Sequence, residues 1–426
     1  MQGTQGSVKE VTKPRKGLLY LALTTLVFAG GWLIGLKTNP RLAMMATSHN
    51  PFVTPLLTKD EIKNKISKLN NENVYSFKQN EVNFEGYEEP IVLDYAFDTG
   101  LQAVAEDLLA QYKPDMGSIV ALDASTGRVL AMAGENRAFE IEGNPAISHS
   151  YPSASVFKVV TAAAAIEERK ANPQTMISYA GRNHTLYKSQ IKEHVSGWRR
   201  ISSLKAAFAQ SINTVFGRIG VFTLGKEPLK TFSKQFAFES PIPAEFPIEQ
   251  SHSANPSDSF ELAEMASGFT QDNVMTPVHG AMIAAAVAND GIMMQPYFLN
   301  AAYLKSGKPI YRSEPTILSK VMTPETASEL RTLMKETVAT GTSRKSFHGF
   351  FRGKYSELEV GGKTGHLTDQ HLGGKIDWFV GFAQSHGRKI AVSVLTMHKK
   401  YWTVKSSYLA RKAIETAFNQ KKVAIR

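Results

Sequence analysis

The apolar positions of the chain change period several times, and each change marks an element. Residues 17–36 form an unbroken run of 20 residues without a charged side chain. As a helix rising about 1.5 Å per residue, such a run crosses a hydrocarbon core of roughly 30 Å. Thr58 and Glu61 have the spacing of a capping box ahead of Ile62, Ile66 and Leu69, which predicts one short amphipathic helix. Leu101, Val104, Ala105 and Leu108 describe a second helix face. Residues 118–122 and 128–133 read as two strands of a hairpin, joined by a turn from Asp123 to Gly127. Helical patterns occupy the middle of the chain, over 156–168, 203–219 and 277–288. Two more strand-like runs, 378–383 and 390–397, flank His386, Gly387 and Arg388. Strands at both ends with helices between them predict a mixed α/β fold. Its antiparallel sheet is formed by both ends of the domain and flanked by helices, with an inserted helical lobe. A cleft between lobe and sheet is the natural ligand site.

Composition adds the setting. With 426 residues, 42% of them hydrophobic, the chain can bury one or two ordinary cores. Its net charge of +11 is spread along the sequence, which suits an anionic environment such as a membrane surface or an acidic polymer. No nucleic-acid recognition module accompanies the charge, so nucleic acid is not an expected partner. There is no cysteine, which excludes disulfides and thiolate zinc sites. Lys9, Lys13, Arg15 and Lys16 precede the long apolar run, and the positive-inside rule keeps such residues cytoplasmic. A cleaved signal peptide is the alternative. The run is long for one, however, and the segment after it offers no small-x-small cleavage site.

The predicted organisation is therefore a basic cytoplasmic tail (1–16), a transmembrane anchor (17–36), a membrane-proximal stalk or linker (37–90) and a globular domain (91–426). The stalk assignment rests on Pro40, Pro51, Pro55 and frequent Asn; its short helix is expected to dock on the same chain. The protein would be single-pass in the inner membrane, with the domain on the outer, periplasmic side.

Three short motifs carry the chemistry: Ser155-Val-Phe-Lys158, Ser211-Ile-Asn213 and Lys363-Thr-Gly365. Ser155 lies just ahead of a helical apolar run, where backbone N–H groups and the helix dipole favour developing negative charge. Lys158, about one turn on, can share its face. A serine needs an adjacent base to be a good nucleophile. A lysine serves as that base only when desolvation or a neighbouring cation keeps it neutral, and Lys363 is the candidate neighbour. Ser211 is placed between the lysines as a proton carrier, and Asn213 as a donor to a substrate amide. These two residues fall inside a helical pattern, so they must either diverge or sit on an interrupted turn. Lys363 and Thr364 can bind a carboxylate, and Gly365 allows close approach of a backbone. The N–H groups of Ser155 and His366 make a possible oxyanion hole. His366, Asp369 and His371 are close in sequence, but a loop beside the site explains them better than a metal; no metal or cofactor is expected.

With these motifs in this order, residues 93–417 resemble a penicillin-binding protein transpeptidase domain. The flanking segments resemble the family as well: Phe97 to Gln102 with Ala105 and Glu106, Ala121 to Met132, Thr276-Pro277 with Ala288 to Gly291, and Asp377 to Phe382. The resemblance implies that Ser155 is acylated by a D-Ala-D-Ala stem peptide or by a β-lactam, with Lys158 as the acylation base. Ser211 and Lys363 would relay protons, and Thr364 would bind the terminal carboxylate. It also implies a monofunctional, membrane-anchored D,D-transpeptidase of peptidoglycan synthesis, with D,D-carboxypeptidase activity as a possible side reaction. Cell-wall synthesis or division proteins would be its protein partners. The other readings are a serine β-lactamase and a weakly catalytic penicillin-binding scaffold or sensor. Two positions depart from the family pattern: His366, where Thr is usual after Lys-Thr-Gly, and Ser267-Gly-Phe269, where a Gly-x-Gly-like segment is usual.

Overall fold

The computed structural model describes residues 56–69, 72–194 and 199–419. The predicted cytoplasmic tail and transmembrane anchor lie outside these residues, and no helix among the described residues is long and apolar enough to cross a membrane. Residues 56–419 belong to one compact unit.

The order of elements follows the expected alternation. Helix α1 (Lys59–Ser67) is opened by the capping box of Thr58 and Glu61. Two short strands, β1 (Glu81–Val82) and β2 (Ile91–Tyr95), lead to α2 (Thr99–Tyr112), whose N-cap is Asp98. Strands β3 (Met116–Asp123) and β4 (Val129–Asn136) form the hairpin. Its turn is fixed by Asp123 Oδ1, which accepts from the Ser125 and Thr126 N–H groups. The helical lobe holds α3 (Lys158–Glu167), α4 (Leu204–Ala209), α5 (Asn213–Arg218) and α6 (Ser259–Ser267). Then come α7 (Pro277–Ala288), β5 (Leu299–Leu304), β6 (Pro309–Arg312) and α8 (Pro324–Ala339). Long strands β7 (Glu359–Thr368), β8 (Lys375–Ser385) and β9 (Arg388–His398) precede the C-terminal helix α9 (Ser406–Asn419).

The central sheet is antiparallel, in the order β7-β8-β9-β3-β4. It is completed by both ends of the domain, as the pattern predicted. Both faces are covered, and alternation along β3 splits its side chains between two cores. Ile119 and Ala121 join one with α2 and α9, while Val120 and Leu122 join the other with α7. Double coverage explains why these strands read as continuous apolar runs. Each large side chain buried there contributes on the order of 1.5–3 kcal/mol. All twelve residues of α7 are buried, so it is a core helix and not an amphipathic one. Strand β7 is left at the sheet edge, facing the helical lobe.

Two findings differ from the sequence reading. The segment called a stalk is, from residue 56, part of the compact unit. Ile62 and Ile66 of α1, with Val74, Val82 and Phe84, are buried in the main core, and β1 pairs with β2 in a second sheet, β1-β2-β5-β6. Its helix docks in cis, and the compact unit therefore starts at Leu56 and not at residue 91. The pattern expected as one helix over 203–219 is broken between α4 and α5. Ser211 has φ 55° and Ile212 is extended, so the chain turns sharply there.

Candidate active site

Ser155 lies in a 3-10 turn, Ala154–Phe157, that feeds directly into α3. Three contacts hold the turn in place. The Trp378 indole N–H on β8 donates to the Pro152 carbonyl at 2.9 Å. The Ser153 N–H donates to the Asn273 carbonyl at 2.7 Å. Gly365 packs on the turn so closely that a Cβ there would sit 3.1 Å from the Ser153 carbonyl oxygen. The glycine thus admits the serine's own turn. Gly268 closes the other side: at φ +67° its Cβ would meet the Ala154 carbonyl oxygen at 1.9 Å. Ala154 itself has φ 47°, a left-handed value that is uncommon for a residue with a Cβ, and strain of this kind clusters at functional sites.

Lys158 is fully buried under Ser155. Its Nζ donates to Ser155 Oγ at 2.8 Å, to Asn213 Oδ1 at 2.8 Å and to the Ser267 carbonyl. Burial first, and the nearby Lys363 ammonium second, hold its pKa well below the usual lysine range. Lys363 is buried too; its Nζ donates to Ser211 Oγ at 2.9 Å and to the Thr364 carbonyl at 2.8 Å. Burial pulls its pKa down to about 7. Two lysines therefore share a buried floor in which both cannot easily be charged. The left-handed turn at Ser211 is what aims that hydroxyl at Lys363 instead of along a helix face.

Asn213, expected as a substrate donor, has both ends of its amide engaged here. Oδ1 accepts from Lys158, and Nδ2 donates to the His184 carbonyl at 3.1 Å. It orients Lys158 and fixes the loop carrying His184. Thr364 Oγ1 lies 2.5 Å from Thr342 Oγ1. Above these groups is a cavity of about 330 Å³ lined by Ser155, His184, Ser211, Asn213, Gly268, Phe269, Thr342, Thr364 and His366. A larger depression of about 460 Å³ lies around Glu167, Arg169 and Thr323, away from the serine. The motif-bearing cavity is the chemically equipped one.

Seven of the eight predicted residues, Ser155, Lys158, Ser211, Asn213, Lys363, Thr364 and His366, either line this cavity or donate to one that does, and Gly365 packs against the serine's turn. His366 is only half exposed, and its Nε2 lies 2.6 Å from Oδ1 of buried Asp377, its cross-strand partner. Asp369 caps a turn through the His371 and Leu372 N–H groups, and among the described residues no cluster of metal-ligating side chains forms.

His184 and Thr342 were not anticipated. His184 sits in a loop without repeat, periodicity or motif. It reaches the site because Asn213 donates to the Asn183 and His184 carbonyls. Burial, then Lys158 and Lys363, lower its pKa.

Comparison with known proteins agrees with this geometry. The family model of the penicillin binding protein transpeptidase domain matches residues 117–417. The peptidoglycan D,D-transpeptidase PbpA of Mycolicibacterium smegmatis is 31% identical over 314 residues, covering 66% of this chain and 62% of the relative. PbpA of Mycobacterium tuberculosis is 27% identical over 340 residues, covering 71% and 66%. The chain thus spans less than two thirds of the length of these relatives. Among solved structures, an imipenem acyl-enzyme of M. tuberculosis penicillin-binding protein A superposes with TM-score 0.63 at 24% identity, covering 76% of this chain and 79% of that one. The D,D-transpeptidase domain of a peptidoglycan glycosyltransferase from Eggerthella lenta gives 0.62, also at 24%, covering 76% and 82%. At that identity both show the shared fold.

Proposed function

This chain belongs to the penicillin binding protein transpeptidase family, and we propose that it is a membrane-anchored peptidoglycan D,D-transpeptidase working through an acyl-serine. The observation that carries the proposal is the hydrogen bond of 2.8 Å between Ser155 Oγ and a fully buried Lys158 whose proton affinity is lowered.

Neutral Lys158 takes the Oγ proton as Ser155 attacks the carbonyl of the penultimate D-alanine of a stem peptide. The N–H groups of Ser155 and His366 hold the oxyanion. Such a donor contributes roughly 2.7–4 kcal/mol to barrier lowering. Lys363 and Thr364 bind the terminal carboxylate, Thr364 being aligned by Thr342. The proton on Lys158 passes to the departing D-alanine amine, with Ser211 and Lys363 completing the relay. An acceptor amine then resolves the acyl-enzyme into a crosslink, while a β-lactam acylates the same serine in place of the stem peptide. We place tail 1–16 in the cytoplasm and run 17–36 in the inner membrane, so that the site works on the periplasmic side.

The test is labelling of the full-length chain in detergent with a fluorescent penicillin. A covalent adduct that disappears in Ser155→Ala is expected. A wild type that forms no adduct while remaining folded would overturn the proposal.

A further inference from the structure

We propose that His366 and Asp377 form a base that directs water onto the acylated Ser155, giving this enzyme a built-in hydrolytic exit beside crosslinking. The inference rests on the acyl-serine reading above. It arises from the one motif position that crosslinking chemistry does not need as a side chain, since the oxyanion hole uses only the N–H of His366.

The geometry is that of an oriented imidazole. His366 and Asp377 are directly opposed on β7 and β8, with Nε2 and Oδ1 2.6 Å apart. Asp377 is almost fully buried and fixed from its other side: the Ser406 N–H at the start of α9 donates to Oδ2 at 2.9 Å. An ionised carboxylate only accepts hydrogen bonds. Nε2 must therefore carry the proton, and the acceptor lone pair falls on Nδ1. Trp402 packs beside the ring at 5.8 Å between centroids. Trp402 is itself stacked on His398 and lies under the Lys405 ammonium. The imidazole is thus held in one pose, and His366 lines the same cavity as Ser155. The titratable groups around it are Asp377, His398 and Lys405 on the sheet side, and His184, Lys158 and Lys363 across the cavity.

In the hydrolytic step Nδ1 takes one proton from water while the water oxygen bonds to the ester carbonyl carbon. The bond from that carbon to Oγ then breaks, and Oγ takes up the proton held on the imidazolium. The product leaves as a carboxylate, its acid proton passing to solvent. Water is the sole co-reactant, and the histidine returns to its starting state. His366 is the group that touches the reacting water; Asp377 is a positioning residue that sets its tautomer.

The experiment uses the full-length chain in detergent micelles. A penicilloyl adduct is formed, free penicillin is removed, and release is followed from pH 5 to 8 in wild type, His366→Asn and Asp377→Asn. General bases contribute about 10²–10⁴ in rate, so release should slow at least tenfold in both variants. The rise of release with pH in wild type should flatten in His366→Asn. A variant that still forms the adduct is folded, which guards against misreading the Asp377 substitution. Unchanged release and an unchanged pH profile in His366→Asn would overturn the inference, as would a defect confined to adduct formation. Absence of any wild-type adduct would instead sink the acyl-serine reading on which it stands.

Discussion

The floor and the rim of the cleft are built on opposite electrostatic principles. On the floor, Lys158 and Lys363 are fully buried, they donate only to hydroxyl, amide and carbonyl oxygens among the described residues, and desolvation is the main cause that lowers their proton affinity. On the rim, His366 is half exposed and takes its orientation from a hydrogen-bonded carboxylate, Asp377. Burial of like charges favours the unprotonated lysine, so that its amine is available to accept a proton near neutral pH. Pairing with a buried carboxylate fixes which nitrogen of an imidazole is free. On the proposals above, one fold would hold two proton acceptors, set by environment and available for different steps.

The contrast can be broken at its centre first. Lys158→Ala removes the floor base and should lower the acylation rate by about 10³-fold, within the range for general bases. Stopped-flow measurement with a chromogenic β-lactam reads this directly. Gly268→Ala comes next. Its Cβ would overlap the Ala154 carbonyl, at a left-handed backbone position. We expect a loss of about 1–3 kcal/mol in stability by thermal melting, together with slower acylation because the Ser155 turn must move.

Lys363 titrates near 7 when folded, against 10.5 in its ordinary state. Below pH 7 both states hold the proton, and the full burial penalty stands. Between pH 7 and 10.5 the unfolded chain binds more protons, so stability rises with pH. Lys363→Met should therefore stabilise the protein on the order of 1–4 kcal/mol below pH 7, with the gain shrinking toward pH 10.5, while acylation falls. The same substitution removes a positive neighbour, so Lys158 should bind protons more tightly and the acidic limb of any residual acylation should move to higher pH. The smallest effect is expected at the rim. Trp402→Ala loosens the packing beside His366, His398 and Lys405 without touching the floor, and acylation by the same assay should stay within about threefold, on the scale of a contact contributing roughly 0.5 kcal/mol.

Much of this was legible in the chain because the chemistry is local and the sheet is doubly buried. Ser155 and Lys158 are one turn apart, so spacing alone put them together. Strands such as β8 and β9, buried on both faces, announced themselves as apolar runs. The break at Ser211 was foreseen only as one option, since a left-handed residue inside an otherwise helical pattern leaves no periodic trace. The packing of residues 56–90 was masked by Pro and Asn, which look like linker although Ile62, Ile66 and Phe84 are core. His184 was invisible because it depends on a long-range bond from Asn213. The partner of His366 lay eleven positions away across a hairpin register (Asp377) that only strand pairing reveals.

The central claim is that Lys158 acts as a neutral base because it is buried beside Lys363. The most direct measurement is the second-order rate constant for β-lactam acylation of the full-length enzyme from pH 5 to 10.5. The account predicts that the rate has left its acidic limb well below the ordinary lysine range and is near its plateau by neutral pH. A rate that keeps climbing to pH 10 and beyond, as for a solvated lysine, would contradict it.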